Sequence, residues 1–293
     1  MHIKLSTPKT LLAAALALTG LSSHAVTLVG ITTQNQVAVF DTTNIAGATF
    51  TSITGLATGE QFVGIDLRPG NNTIYGITTA NKLYTLNAFT GVATAGPVLS
   101  ANVISASSSV GYGIDFNPSA DFTGATSLRF STSTGGNFAI NATTGAVTVA
   151  STTAPGFSNV SYSNSTPNPT VAPAPTSLFY IDSINDTLSV AATGFNNPAI
   201  TFRGNLGVDA LKAGGFEVLA DGTAFAALNI DGGLGTTGIY SINLTTGAAT
   251  SVGTFGGTLN GLTVAAIPEP QTYALLLAGL GMVGFMARRR QSV

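Results

Sequence analysis

One pattern recurs along the middle of this chain and leaves few folds open to it. Tyr84-x-Leu86-Asn87-x-x-Thr90-Gly91-x-x-Thr94 returns as Phe138-x-Ile140-Asn141-x-x-Thr144-Gly145-x-x-Thr148, and again as Tyr240-x-Ile242-Asn243-x-x-Thr246-Gly247-x-x-Thr250. Asn87 to Asn141 is 54 residues and Asn141 to Asn243 is 102, about two such steps. A degenerate copy is expected between them, at Leu188-Ser189-Val190 followed by Thr193-Gly194, and an earlier one at Val39-Phe40-Asp41. Each copy reads as a hairpin: apolar alternation into Asn, a turn closed at a Gly where φ can be positive, then a Thr/Val strand out. Further short strands precede the hairpins, as at Thr73-Ile74-Tyr75-Gly76-Ile77. Four strands per repeat of near fifty residues, repeated five times, predict an all-β chain: a β-propeller of five four-stranded blades. Helical periodicity is absent outside the two termini.

The first strand of each repeat is expected to line the propeller axis. Gly64-Ile65-Asp66-Leu67, Gly113-Ile114-Asp115-Phe116 and Gly215-Phe216-Glu217-Val218 share one form, and Asn159-Val160-Ser161-Tyr162 is a poorer fourth. A fifth, Gly261-Leu262-Thr263-Val264, stands at the far end of the module, whereas the first repeat, beginning at Val26, lacks such a strand. Pairing Leu259–Ala265 with the strand near Val26 would complete one blade from both ends and remove the edges that a β array cannot leave exposed. Ser163 to Thr176, SNSTPNPTVAPAPT, has four prolines and no apolar periodicity. With repeats in step on both sides, it reads as a long loop in the fourth blade rather than a domain linker.

Asp66, Asp115 and Glu217 occupy one position in three blades, so their carboxylates converge on the axis. They form the candidate cation site, with Ca²⁺ as the ion that takes oxygen ligands. The competing reading is structural, each carboxylate bonding to backbone at a recurrent place in the repeat. Asn229-Ile230-Asp231-Gly232-Gly233 has part of a calcium loop but lacks the remaining alternate ligands and the terminal Glu, and reads as a Gly-rich turn. Tyr75, Tyr84, Tyr112 and Phe138 are candidates for a sugar-stacking platform, weighed against the core role that aromatics usually have in a blade.

Composition removes most catalytic designs. Both histidines, His2 and His24, precede Val26, and the chain has no cysteine. The module after Ala25 therefore has no His or Cys for a nucleophilic triad, a zinc site, a haem or an iron-sulfur cluster, and no cofactor is expected beyond Ca²⁺. From Val26 to Ala266 there are eleven carboxylates against five cations, Arg68, Lys82, Arg129, Arg203 and Lys212, with no basic stripe. Nucleic acid is not an expected partner, because binding it requires clustered Lys and Arg.

The two ends read as addresses. Lys4 and Lys9, an apolar run from Leu11 to Leu21, and Ser23-His24-Ala25 make a secretory signal peptide over 1–25, cut by signal peptidase between Ala25 and Val26. That exports 26–266. In the tail, 267–293, Pro268-Glu269-Pro270 precedes an apolar run from Tyr273 to Ala287 and then Arg288, Arg289 and Arg290. The prolines hold the triplet extended and accessible. Fifteen apolar residues of helix reach roughly 22 Å, short of the ~30 Å hydrocarbon core, so the helix is a weak anchor in the inner membrane. The arginines are the cytoplasmic stop by the positive-inside rule. Gly279 to Gly284 spells GxGxxG, but no strand precedes it, and small residues that ease packing in the membrane are the better reading.

These tail residues resemble the PEP-CTERM sorting signal of bacterial exported proteins, with triplet, apolar span and Arg cluster in the same order. The resemblance implies that an exosortase, a membrane peptidase, recognises Pro268-Glu269-Pro270 and removes the tail, leaving the protein at the cell surface or in the extracellular matrix. It also implies a host that makes extracellular polysaccharide. The exported core is similar to an uncharacterised propeller-like bacterial domain family with Gly-Ile-Asp and Thr-Gly repeats, for which no activity is established.

Two functions of different class follow. The first is a non-enzymatic surface or matrix protein whose propeller binds polysaccharide or another exported protein. The second is a polysaccharide hydrolase or lyase using paired carboxylates, chemistry that a chain without His can still perform. No such pair is identifiable in the sequence, so the first is expected.

Overall fold

The structure, a computed structural model, describes residues 25–107, 109–229 and 235–265. Its strands are β1 (Thr27–Thr32), β2 (Gln36–Asp41), β3 (Asn44–Ser52), β4 (Phe62–Arg68), β5 (Thr73–Thr78), β6 (Lys82–Leu86), β7 (Ala93–Val98), β8 (Tyr112–Phe116), β9 (Ser127–Thr132), β10 (Asn137–Asn141) and β11 (Val147–Val149). They continue as β12 (Phe157–Tyr162), β13 (Leu178–Asp182), β14 (Thr187–Ala191), β15 (Ile200–Asn205), β16 (Lys212–Val218), β17 (Ala224–Asn229), β18 (Thr236–Ile242), β19 (Ala249–Gly256) and β20 (Leu259–Val264). Five four-stranded antiparallel sheets result: β20-β1-β2-β3, then β4 to β7, β8 to β11, β12 to β15 and β16 to β19. The inner strands β20, β4, β8, β12 and β16 neighbour one another in a closed ring. The chain is thus a five-bladed β-propeller, as its repeat predicts.

The first blade is shared between the two ends of the module. β20 pairs antiparallel with β1, Leu28 opposite Val264 and Gly30 opposite Leu262, and Ala265 N–H donates to the Thr27 carbonyl at 2.9 Å. Ser163 to Thr176 connects β12 to β13 within the fourth blade, as expected of a loop.

The recurrent Asn-x-x-Thr-Gly turn has a physical reason at each place. In all three copies the Asn Oδ1 accepts two backbone N–H groups: Phe89 and Thr90 on Asn87, Thr143 and Thr144 on Asn141, Thr245 and Thr246 on Asn243, at 2.9 to 3.0 Å. The Gly then turns the chain with positive φ, 71° at Gly91 and 73° at Gly145. That Gly also touches the preceding blade. A Cβ on Gly145 would fall on the Val98 carbonyl oxygen, while the Gly145 carbonyl accepts Ser100 N–H at 2.9 Å. The motif is therefore both hairpin turn and clasp between blades. Gly145→Ala is expected to cost about 1–3 kcal/mol, through φ strain and the clash together, read as a lower denaturant midpoint at unchanged slope.

A helix α1 (Pro118–Phe122) lies outside the termini, started by Pro118 and capped by Asn117, whose side chain accepts Ala120 N–H at 3.0 Å. A single turn is too short to carry apolar periodicity, so pattern reading passes over it. Its Asp121 fixes β4 by accepting Arg68 Nε at 2.7 Å and Gly70 N–H at 2.6 Å.

Residues 1–24 of the expected signal peptide lie outside the described residues. So do the sorting triplet Pro268, Glu269 and Pro270, the apolar span, the arginines Arg288 to Arg290, and Ile230 to Gly233. Among the described residues no helix is long and apolar enough to cross a membrane.

Candidate functional site

Five inner strands bring five polar side chains to one level of the axis: Asp66 from β4, Asp115 from β8, Ser161 from β12, Glu217 from β16 and Thr263 from β20. All are at most 3% exposed. The three carboxylates foreseen in the sequence do converge, each offering an oxygen within 4.8 Å of the others. The two hydroxyls were missed. Aligning the five inner strands on their Gly/Asn-x-polar register would have found them.

Asp66, Ser161 and Thr263 each accept the backbone N–H of the residue one place further along the next inner strand. Phe116 N–H donates to Asp66 Oδ2 at 2.7 Å, Val218 N–H to Ser161 Oγ at 2.9 Å and Leu67 N–H to Thr263 Oγ1 at 3.0 Å. The hydroxyls then donate back, Ser161 to Asp115 Oδ2 at 2.8 Å and Thr263 to Glu217 Oε2 at 2.8 Å. Inner strands come this close because glycine stands two residues earlier in four of them. A Cβ on Gly113 would lie 2.6 Å from Val160 N, in the next blade.

Burial pushes the Asp66 carboxyl up to about 7. Burial first, then the charges of Asp66 and Glu217, raises Asp115 well above the usual carboxylate range. Glu217 is raised the same way, by burial and then by Asp66. Three acids this close in low dielectric cannot all ionise, so the ring holds protons or a cation. The ring is an interblade seam with one buried carboxylate oxygen, Asp115 Oδ1, left free among the described residues.

At the end of the axis where the inner strands begin, a cleft of about 450 Å³ is lined by the polar Thr33, Gln61, Thr79, Ser105 and Asn260, by the aliphatic Val63, Ile104 and Val110, and by Phe62 and Tyr112. The four aromatic candidates form no single platform. Tyr84 is buried with its hydroxyl on Glu60 at 2.7 Å, Tyr75 packs edge-on against Phe116, and Phe138 rests on Phe130. Only Tyr112, stacked on Phe130 with ring centroids 5.4 Å apart, reaches the cleft. Of the calcium-loop fragment, Asn229 is buried, accepts Thr237 Oγ1 at 2.7 Å and donates to the Leu259 carbonyl at 3.2 Å.

Fold and site define the class: a closed five-bladed propeller with a sealed polar axis, followed directly by a sorting tail. Residues 36–265 match the family described as a domain of unknown function (DUF4394), and the chain belongs to that family. Residues 266–290 match the PEP-CTERM protein-sorting motif, which supports an exported protein sorted by an exosortase, as the tail implies. No curated protein matches the chain.

Among solved structures it is similar to regucalcin, a calcium-binding protein from Agrobacterium tumefaciens, at 14% identity and TM-score 0.40, covering 76% of this chain and 68% of that one. A protein of unknown function from Bacteroides thetaiotaomicron matches at 12% identity and TM-score 0.47, covering 79% and 59%. The Dos1 propeller matches at 12% identity and TM-score 0.39, covering 78% and 57%. The chain thus spans less than two thirds of the last two.

Proposed function

We propose that this is a non-enzymatic protein of the cell surface or extracellular matrix, which an exosortase releases from the inner membrane and whose propeller binds extracellular polysaccharide. The observation that carries the reading is the abutment of fold and tail. β20 ends at Val264 and the sorting motif begins at residue 266, so a cut at Pro268-Glu269-Pro270 would free the whole closed ring and leave no blade incomplete. The mouth cleft supports the ligand class, since its hydroxyls and amides, with the apolar and aromatic groups beside them, are what a sugar's hydroxyls and C–H faces engage.

A hydrolase or lyase needs a carboxylate pair that a substrate can reach. Asp66, Asp115 and Glu217 are sealed in the axis, and among the described residues no carboxylate lines the mouth cleft or the two outer clefts beside Asn72 and Asn117. Glycan-array binding followed by a turnover assay on every hit is expected to give retained, uncleaved glycans. Chain scission at an enzymatic rate would replace the binding reading with the enzymatic one.

A second reading concerns the ring. Ca²⁺ is the ion that its oxygens suit, held by Asp66, Asp115 and Glu217 with Ser161 and Thr263 bonded behind them, and the partnerless Asp115 Oδ1 favours it. Its role there would be structural, tying the blades at the axis.

A further inference from the structure

The seams between blades are not alike. Between the first and second, second and third, fourth and fifth, and fifth and first blades, buried apolar clusters draw on both blades, as Ile77 and Leu83 do with Phe116 and Phe130. At the seam between the third and fourth blades the cluster, with Phe157, Val160, Tyr162, Leu178 and Tyr180, comes from the fourth blade alone. Opposite it β9 presents Arg129, only 4% exposed. Three of its five N–H donors are engaged, all by neutral groups: Nη1 to Asn137 Oδ1 at 2.8 Å, Nη2 to Asn196 Oδ1 at 2.9 Å and Nε to Tyr162 OH at 3.4 Å. That leaves one N–H on each terminal nitrogen.

Among the described residues the one ion pair is Arg68 with Asp121 at 2.7 Å, so Arg129 has no carboxylate at ion-pair distance. Its strand neighbour Asp115 turns to the axis and Ser161, and its other neighbour, Ala139, is small. A buried cation without a counter-charge is expensive, and neutral amides offset only part of that cost. Ser131 Oγ on β9, and Ser158 Oγ and Asn159 Nδ2 on the facing β12, are buried without a protein partner among the described residues. This polar seam opens into a groove of about 580 Å³ lined by Asn117, Ser127, Arg129, Asn196 and Asn197.

We propose that this groove binds the carboxylate of an acidic sugar, a uronate unit of a polysaccharide, on Arg129. The inference rests on the polysaccharide reading above and names the sugar chemistry that reading leaves open. The guanidinium supplies the charge and the two remaining N–H groups that a planar carboxylate accepts. Asn117, Ser127 and Asn197 line the same groove and carry polar side-chain groups that the hydroxyls of the same sugar can engage.

The test is calorimetric titration of the full chain with tetragalacturonate, its methyl-esterified form and a neutral galactan oligomer. The Arg129 Nε–H resonance is followed by NMR in the unmutated protein, and binding is repeated with Arg129→Gln and Arg129→Lys. The expected result is that the acid form binds at least about tenfold more tightly than the ester, moves the Arg129 signal, and weakens by about tenfold or more in either variant. Should Arg129→Gln fail to fold, the resonance and the ester comparison still decide. Equal binding of acid, ester and galactan with a stationary Arg129 signal would overturn the uronate site and leave the polysaccharide reading standing. No binding of any saccharide would overturn both.

Discussion

Deleting Leu259–Ala265 from an otherwise full-length chain abolishes the cooperative melting transition and leaves a product that binds hydrophobic dye and aggregates. The deletion removes Leu259 and Leu262, at 0% and 2% exposure, each worth about 1.5–3 kcal/mol of burial. It also removes the β20 side of the ladder that runs from Leu28–Val264 to Thr32–Leu259, at about 1 kcal/mol per hydrogen bond. The total rivals the ~5–15 kcal/mol by which a whole domain is stable. Topology adds to it, because β20 sits between β16 and β4 in the inner ring, so its loss opens the propeller and bares β1 as an edge. Circular dichroism against temperature reads the result. A truncated chain that melts within a few degrees of the intact one, with equal cooperativity, would show that closure is not what holds the ring.

In chelator, the melting temperature of the folded core falls as pH rises from 5 to 8. The sign follows from the ring carboxylates, which burial and mutual charge raise above their unfolded values. Below the ordinary carboxylate range both states are protonated and the native state has its full stability. As pH rises through that range the unfolded chain releases protons that the folded ring keeps. For Asp66 this loss continues until its own folded value of about 7. Each proton held by the fold and given up by the unfolded chain weakens the fold by about 1.4 kcal/mol per pH unit. Asp66→Asn removes one such proton and is expected to flatten the profile. A cation in the ring replaces the protons, so Ca²⁺ is expected to raise the melting temperature most at pH 8 and least at pH 5. A pH-independent melting point in chelator would contradict the buried acidic ring. Calcium without effect at pH 8 would leave the ring a proton-sharing seam.

The parts of the molecule readable in advance are those where one residue type answers one local demand. Asn87, Asn141 and Asn243 cap their own turns, and Gly91, Gly145 and Gly247 take positive φ there, so turn chemistry alone locates the outer hairpins. The Gly-x-acid strands are visible because glycine permits the close approach of the next strand and the carboxylate takes its N–H. Ser161 and Thr263 do the same work as Asp66 but carry no charge, and Asn159 replaces glycine in the fourth inner strand, which disguises that blade. Arg129 counted only as one of five cations. Its burial is made by Asn196, 67 residues away in the next blade, and no local pattern announces a contact of that range.

The most direct test of a closed propeller that is exported as a passenger and released by its tail is the intact mass of the protein from the extracellular fraction. The account predicts a species that begins at Val26 and ends between Ile267 and Pro270, with β20 retained and the core folded. A species in its final location that still carries the tail through Val293 would contradict release and make Tyr273 to Ala287 a permanent anchor.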